Sequence, residues 1–228
     1  MDIALFSPSS LFSEGDGEED HVCAGEENTD VEDTHVERRH QFPGMDLIIR
    51  EFSFHQLNAN LLWPGTFAFA EWLVQHKSCI EGRRIIELGS GTGALAIFLQ
   101  KSFHLDVTTS DYDDIEIEEN IAHNCRVNKV PVIPHVRHVK QYANLIQTIS
   151  FLLKCYKPSK GTSSYPPKEN NGDVVLPKPA FLMSWRRRIG KEDESLFFNG
   201  CEGAGLEVQH LGSRVYCITP RENEKSET

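Results

Sequence analysis

Apolar residues along this chain recur with two different periods, and the way the periods alternate predicts an α/β fold. Arg84-Ile85-Ile86-Glu87-Leu88 is a short apolar run carrying a carboxylate at its end, the pattern of a buried parallel strand. Ala94-Leu95-Ala96-Ile97-Phe98-Leu99 opens a helix, residues 105–110 form a second strand ending at Asp111, and residues 114–128 read as the next helix. Val130-Pro131-Val132-Ile133-Pro134-His135-Val136 is a strand interrupted by two prolines, which remove ladder donors and so assign it to a sheet edge. Val139, Tyr142, Leu145, Ile146, Ile149, Leu152, Leu153 and Tyr156 are spaced by threes and fours, the stripe of an amphipathic helix over 140–156. Further on, residues 180–185 form a buried strand and residues 192–198 begin a helix. Residues 206–211 and 214–219 then make a hairpin turning at Gly212-Ser213. Ahead of all these, residues 47–54 alternate as a half-exposed strand.

The chemistry concentrates where the first of these strands meets its helix. Gly89, Gly91 and Gly93 alternate with Ser90 and Thr92, so the backbone can turn sharply and come close to a ligand where a Cβ would collide. The helix that follows points backbone N–H groups at whatever occupies the loop. Asp111 lies 24 positions after Glu87, at the end of the next strand, where an acid is placed to hydrogen-bond two ribose hydroxyls. A glycine triplet alone is weak evidence; strand before, helix after and a strand-terminal acid make it a nucleoside site. The dinucleotide fingerprint spaces its glycines as Gly-x-Gly-x-x-Gly, whereas this loop reads Glu-x-Gly-x-Gly-x-Gly, which disfavours a nicotinamide dehydrogenase.

That loop resembles motif I of the seven-strand, class I S-adenosylmethionine-dependent methyltransferases. The resemblance extends upstream to Leu62-Trp63-Pro64-Gly65 and Phe69-Ala70-Glu71-Trp72-Leu73, and downstream to Asn120-Ile121-Ala122-His123-Asn124. Together these segments are similar to the protein methyltransferases often called family 16, many of which modify lysines on other proteins. The likeness runs over residues 61–128 and resumes in the last third. It implies a Rossmann-like doubly wound sheet, mostly parallel, with a C-terminal antiparallel hairpin. It also implies that S-adenosyl-L-methionine is the cofactor and that the substrate is a protein. Carried over by position, Glu87 would hold the amino-acid end of the cofactor, Gly89, Ser90, Gly91 and Gly93 would form the loop beneath it, Asp111 would hold the ribose, and Trp63 would border the pocket. Trp63 could equally be a core aromatic at a helix entrance, whereas Asp111 as an ordinary turn residue is the weaker alternative. No catalytic residue and no metal ligand is identifiable.

One stretch departs from the family. Between the edge strand and the stripe beginning at Val139 the family places a loop, a buried fourth strand and a second loop, together at least about 15 residues. This chain offers Arg137-His138. The absent stretch would carry residues bordering the cofactor and the substrate channel. Four buried aliphatic side chains on such a strand would contribute about 6–12 kcal/mol, comparable with a whole domain's net stability of about 5–15 kcal/mol. The expectation is a splice-type variant that binds the cofactor weakly and transfers poorly, with a non-catalytic binding protein as the alternative. Direct pairing of residues 180–185 with Arg84-Ile85-Ile86-Glu87-Leu88, in a six-stranded sheet, is favoured over an open slot, because a slot would leave central N–H and C=O groups without partners.

Composition narrows the setting. A chain of 228 residues suits one domain, here residues 45–220 with a flexible loop at 158–179, a disordered tail at 221–228 and an acidic disordered tail at 1–44. Twelve carboxylates and no lysine or arginine fall between Asp2 and Glu37, reading as a solubilising tail more readily than as an acidic docking arm. No apolar run approaches the roughly 20 residues that span a bilayer. The net charge of -11 argues against a nucleic-acid backbone as partner, and Arg186-Arg187-Arg188 reads as a solvated strand end. Six cysteines without a Cys-x-x-Cys pair suggest reduced thiols in a cytosolic or nuclear protein.

Overall fold

The structure, a computed structural model, describes residues 35–53, 61–138, 145–156, 174–185 and 191–221. Its first element is a hairpin of β1 (His35–Phe42) and β2 (Met45–Phe52), turning through Gly44 at φ 76°. The alternating pattern over 47–54 marks β2, but β1 lies inside the stretch that composition assigned to the tail, so the ordered chain begins before residue 45. The reason is that β1 buries only its last residue, Phe42, in the core. It is held by cross-strand pairs: Arg38 to Glu51 at 3.1 Å, His40 to Glu51 at 3.0 Å, and the His35 ring 4.9 Å from that of Phe52. The tail reading of residues 1–34 lies outside the described residues.

After α1 (Pro64–Gln75) the chain follows a regular βαβαβ path: β3 (Arg84–Leu88), α2 (Ala94–Phe103), β4 (Asp106–Tyr112), α3 (Ile115–Val127) and β5 (His135–His138). The three strands are parallel in the order β3-β4-β5, with Ile86 opposite Thr108 and Asp111 opposite Arg137. The edge position read from the two prolines holds, but the strand starts only at His135, after both prolines, where backbone N–H groups become available to the ladder. Ala94, Ala96, Ile97, Phe98 and Leu99 of α2 share a core with Ala70, Trp72 and Leu73 of α1, Ile117 and Ile121 of α3, and Leu47 and Ile49 of β2. The apolar face of the hairpin therefore closes the same core as the cofactor-type loop.

The rest of the described chain is α4 (Leu145–Cys155), β6 (Phe181–Ser184), α5 (Lys191–Gly203), β7 (Leu206–His210) and β8 (Val215–Pro220). The stripe predicted a helix over 140–156; its first five residues lie outside the described residues, as do most of the 158–179 loop, Arg186-Arg187-Arg188 and residues 222–228. The C-terminal hairpin of β7 and β8 forms as expected, turning through Gly212, Ser213 and Arg214, all at positive φ. Here β6 pairs antiparallel with β8, giving a second three-stranded sheet in the order β6-β8-β7.

The expected pairing of β6 with β3 does not form: the two strands belong to different sheets, and among the described residues β3 hydrogen-bonds only to β4. Packing explains why β6 stays where it is. Leu182 lies against the main core, while Phe181 and Met183 lie against a second cluster built from Ile149, Leu153, Cys201, Leu206 and Ile218. The Arg83 guanidinium also holds the approach to β6 by donating to the carbonyls of Leu176 and Pro177. β3 is correspondingly not the buried strand its composition predicts. Ile86 is 47 % exposed, because nothing described lies on its open side.

Candidate functional site

The C-terminal ends of β3 and β4 and the start of α2 meet in one tightly bonded loop. Gly89, Gly91 and Gly93 all have positive φ, at 68°, 50° and 73°, a conformation that side chains disfavour. Gly93 has a second constraint: a Cβ there would stand 2.9 Å from Ile121 Cγ2. Its N–H donates to Ser90 O at 2.8 Å, and its carbonyl accepts from Ile97 N, the first full turn of α2.

Two serines stitch the strands together below the loop. Ser90 N donates to Ser110 O at 3.0 Å, Ser110 N donates to Ser90 Oγ at 3.1 Å, and Ser110 Oγ donates to Glu87 O at 3.0 Å. Asp111 then crosses from β4 to the loop. Its Oδ2 accepts from Gly91 N at 2.7 Å and its Oδ1 from Tyr112 N at 2.7 Å, with the residue almost fully buried. This is not an ordinary turn residue: its carboxylate holds a loop peptide 20 positions away.

Glu87 projects into the same place. Its Oε2 is enclosed with no hydrogen-bond partner among the described residues. Burial pushes its carboxyl up to about 8, opposed by the N–H of Ala96 and the Ser90 hydroxyl and reinforced by the negative charge of Asp111. An orphaned buried carboxyl oxygen is costly unless something else pairs with it, and a cationic or N–H-bearing group would. Glu87 and Asp111, on either side of the glycine loop, therefore fit a ligand that carries an amine at one end and hydroxyls at the other.

Trp63 is the N-cap residue of α1 and is 42 % exposed, so it is not the core aromatic that one reading of the sequence allowed. Its neighbour Leu62 is tethered by N–H donation to Glu51 Oε1 at 3.1 Å, and the carbonyl of Gly65 accepts from Ser184 Oγ at 3.4 Å. Glu51 was missed as a positioning residue, although an acid among the alternating apolar residues of β2 was the available signal. Asn120 and Asn124 lie in a segment that carries the resemblance but were given no role, and neither was Asn128. Their spacing of four along α3 and its C-cap puts them on one face, and all three are buried.

Comparison with known proteins agrees with this geometry. A family model described as lysine methyltransferase matches residues 41–144, from the end of β1 through the loop and Asp111. The electron transfer flavoprotein beta subunit lysine methyltransferase of Rattus norvegicus is 31% identical over 74 residues, 32% of this chain and 29% of that protein. The histidine protein methyltransferase 1 homolog of Bos taurus is 28% identical over 97 residues, 40% of this chain and 26% of that protein. The protein N-terminal and lysine N-methyltransferase of Schizosaccharomyces pombe is 26% identical over 105 residues, 46% of this chain and 36% of that protein. The parallel sheet and the glycine loop are compatible with a class I S-adenosylmethionine-dependent methyltransferase fold. Over residues 41–144 the chain is similar to the lysine methyltransferase family, as it is over shorter stretches to these relatives. It matches between about a quarter and just over a third of the length of these three relatives.

Proposed function

We propose that this chain is a protein-methyltransferase-type protein that keeps the floor of the cofactor site and lacks the wall opposite it, so that it holds S-adenosyl-L-methionine weakly and transfers methyl groups poorly. The observation that carries the reading is Glu87 Oε2, buried and unpartnered beside a glycine loop pinned by Asp111. In this reading Glu87 takes the amino-acid end, the loop from Gly89 to Gly93 lies under it, Asp111 takes the ribose and Trp63 borders the pocket. The bound cofactor would supply a sulfonium methyl. The relatives' names specify protein lysines and a histidine, so the acceptor class is a neutral nitrogen on a protein. The chain's contribution would be orientation and exclusion of water rather than proton transfer.

The case for a missing fourth strand rests on the short interval between β5 and α4 and on the exposed edge of β3 with Ile86 standing open. A cytosolic or nuclear setting is part of the proposal, supported by the free thiols of Cys79, Cys125, Cys155, Cys201 and Cys217. No helix among the described residues is long and apolar enough to cross a membrane.

Calorimetric titration with S-adenosylhomocysteine, beside a relative that contains the extra segment, tests the reading. Binding weaker than the relative's, and lost in Asp111→Ala, is the expected result. Equal affinity would overturn the missing wall, and preference for a dinucleotide would overturn the cofactor. A cationic amine next to Glu87 favours its carboxylate, so uptake of the ligand should release a proton near neutral pH. Titrations in two buffers of different ionisation enthalpy would show it.

A further inference from the structure

The asparagines of α3 do more than fill space. Buried side-chain amides cost free energy unless paired, and here almost every pairing is with one strand. Asn128 Oδ1 accepts from Ile48 N at 3.1 Å and its Nδ2 donates to Ile48 O at 2.6 Å. Asn124 Oδ1 accepts from Arg50 N at 2.8 Å, and its Nδ2 donates to Arg50 O at 3.2 Å. Asn120 Nδ2 donates to Arg50 O at 3.0 Å while its Oδ1 accepts from Arg50 Nε at 2.7 Å. The outer edge of β2, which has no strand beside it among the described residues, is thus closed by a ladder of side-chain amides on α3 and its C-cap.

One rung differs from the others. Asn124 Nδ2 also donates to Thr92 O at 3.0 Å, inside the glycine loop. The next peptide N–H, that of Gly93, is held by Ser90 O, and Gly91 N is held by Asp111. The Thr92–Gly93 peptide is therefore fixed at both its carbonyl and its N–H. With φ positive on both sides of Thr92, little but these bonds prevents the loop from sampling other conformations. Asn128, on the same ladder, makes no bond to the loop: its Nδ2 donates to Ile48 O and Asn124 O.

We propose that Asn124 is a positioning residue for the cofactor. By clamping the Thr92 carbonyl while gripping Arg50, it makes the β1–β2 hairpin part of the frame that presets the glycine loop. The cofactor half of this statement rests on the function proposed above. A preset loop spends no ligand binding free energy on ordering itself, so its loosening reads out as weaker binding.

Asn128→Asp supplies the matched control, since it removes two donated bonds on the same helix and spares the loop. Asn124→Asp keeps the shape and removes the donations to Arg50 O and Thr92 O. Asn124→Ser, too short to reach Thr92 O, serves if the aspartate variant does not fold. Two quantities are measured under conditions where every protein is folded: amide hydrogen exchange at Gly91 and Gly93 without ligand, and affinity for S-adenosylhomocysteine. The expected result is roughly tenfold faster exchange at both glycines and roughly tenfold weaker binding in the Asn124 variant, with neither changed in Asn128→Asp. Equal effects from the two positions, or unchanged exchange at Gly91 and Gly93, would overturn the clamp. Absence of binding by the unaltered chain would overturn the proposed function instead, and the exchange comparison would still decide the role of Asn124.

Discussion

Glu87 couples the chemistry of the site to the stability of the fold. Its carboxyl keeps its proton up to about pH 8 in the folded chain, against an ordinary value of 4.5. Between those two values the unfolded chain binds fewer protons than the folded one, so stability falls as pH rises through that window, by up to about 1.4 kcal/mol per pH unit. Urea titrations across pH 5–8 should show this fall, and Glu87→Gln should flatten it while raising stability at the alkaline end. Asp111→Ala should cost about 1–3 kcal/mol, since it leaves the N–H groups of Gly91 and Tyr112 unpaired, and should also abolish cofactor binding. Gly93→Ala combines strain at φ 73° with a Cβ 2.9 Å from Ile121 Cγ2, and a loss of about 1–3 kcal/mol is expected from thermal or urea unfolding. These residues were legible in the sequence because a glycine loop and a strand-terminal acid are local signals. That the acid's two oxygens hold backbone N–H groups was not, because the bond spans 20 positions.

Secondary elements were read well where they carry their own period and poorly where they borrow stability. The parallel βαβαβ path, the α4 stripe and the C-terminal hairpin follow from apolar spacing and turn residues. β1 does not, because His35–Phe42 is polar along most of its length and forms only on β2, through Glu51 and its partners Arg38 and His40. Glu51 is buried and accepts from Leu62 N as well, so Glu51→Ala should both unpair the hairpin and release the entry to α1. A cost of about 2–5 kcal/mol is expected, the range for removing one partner from a buried, hydrogen-bonded charge network, with increased proteolysis near residue 62 as the accompanying sign.

At the scale of the whole molecule, two three-stranded sheets face one core without a ladder between β3 and β6, and the open edge of β3 is where that arrangement is weakest. Ile86, 47 % exposed, should tolerate lysine with a change within about 0.5 kcal/mol, whereas Ile97→Ala in the closed core should cost about 2–5 kcal/mol; chemical unfolding of the two variants checks the contrast. A large loss from Ile86→Lys would mean that the edge is covered in solution. The sequence by itself determined the α/β class, the parallel core strands and the residues of the glycine loop, because hydrophobic period and turn chemistry act over a few neighbours. Only the tertiary structure decided that β6 joins β8 rather than β3, that β1 exists, and that an asparagine ladder ties the hairpin to the loop. Each of those outcomes depends on which distant surfaces bury most area and which buried polar groups find partners, and neither is encoded within a short window of sequence.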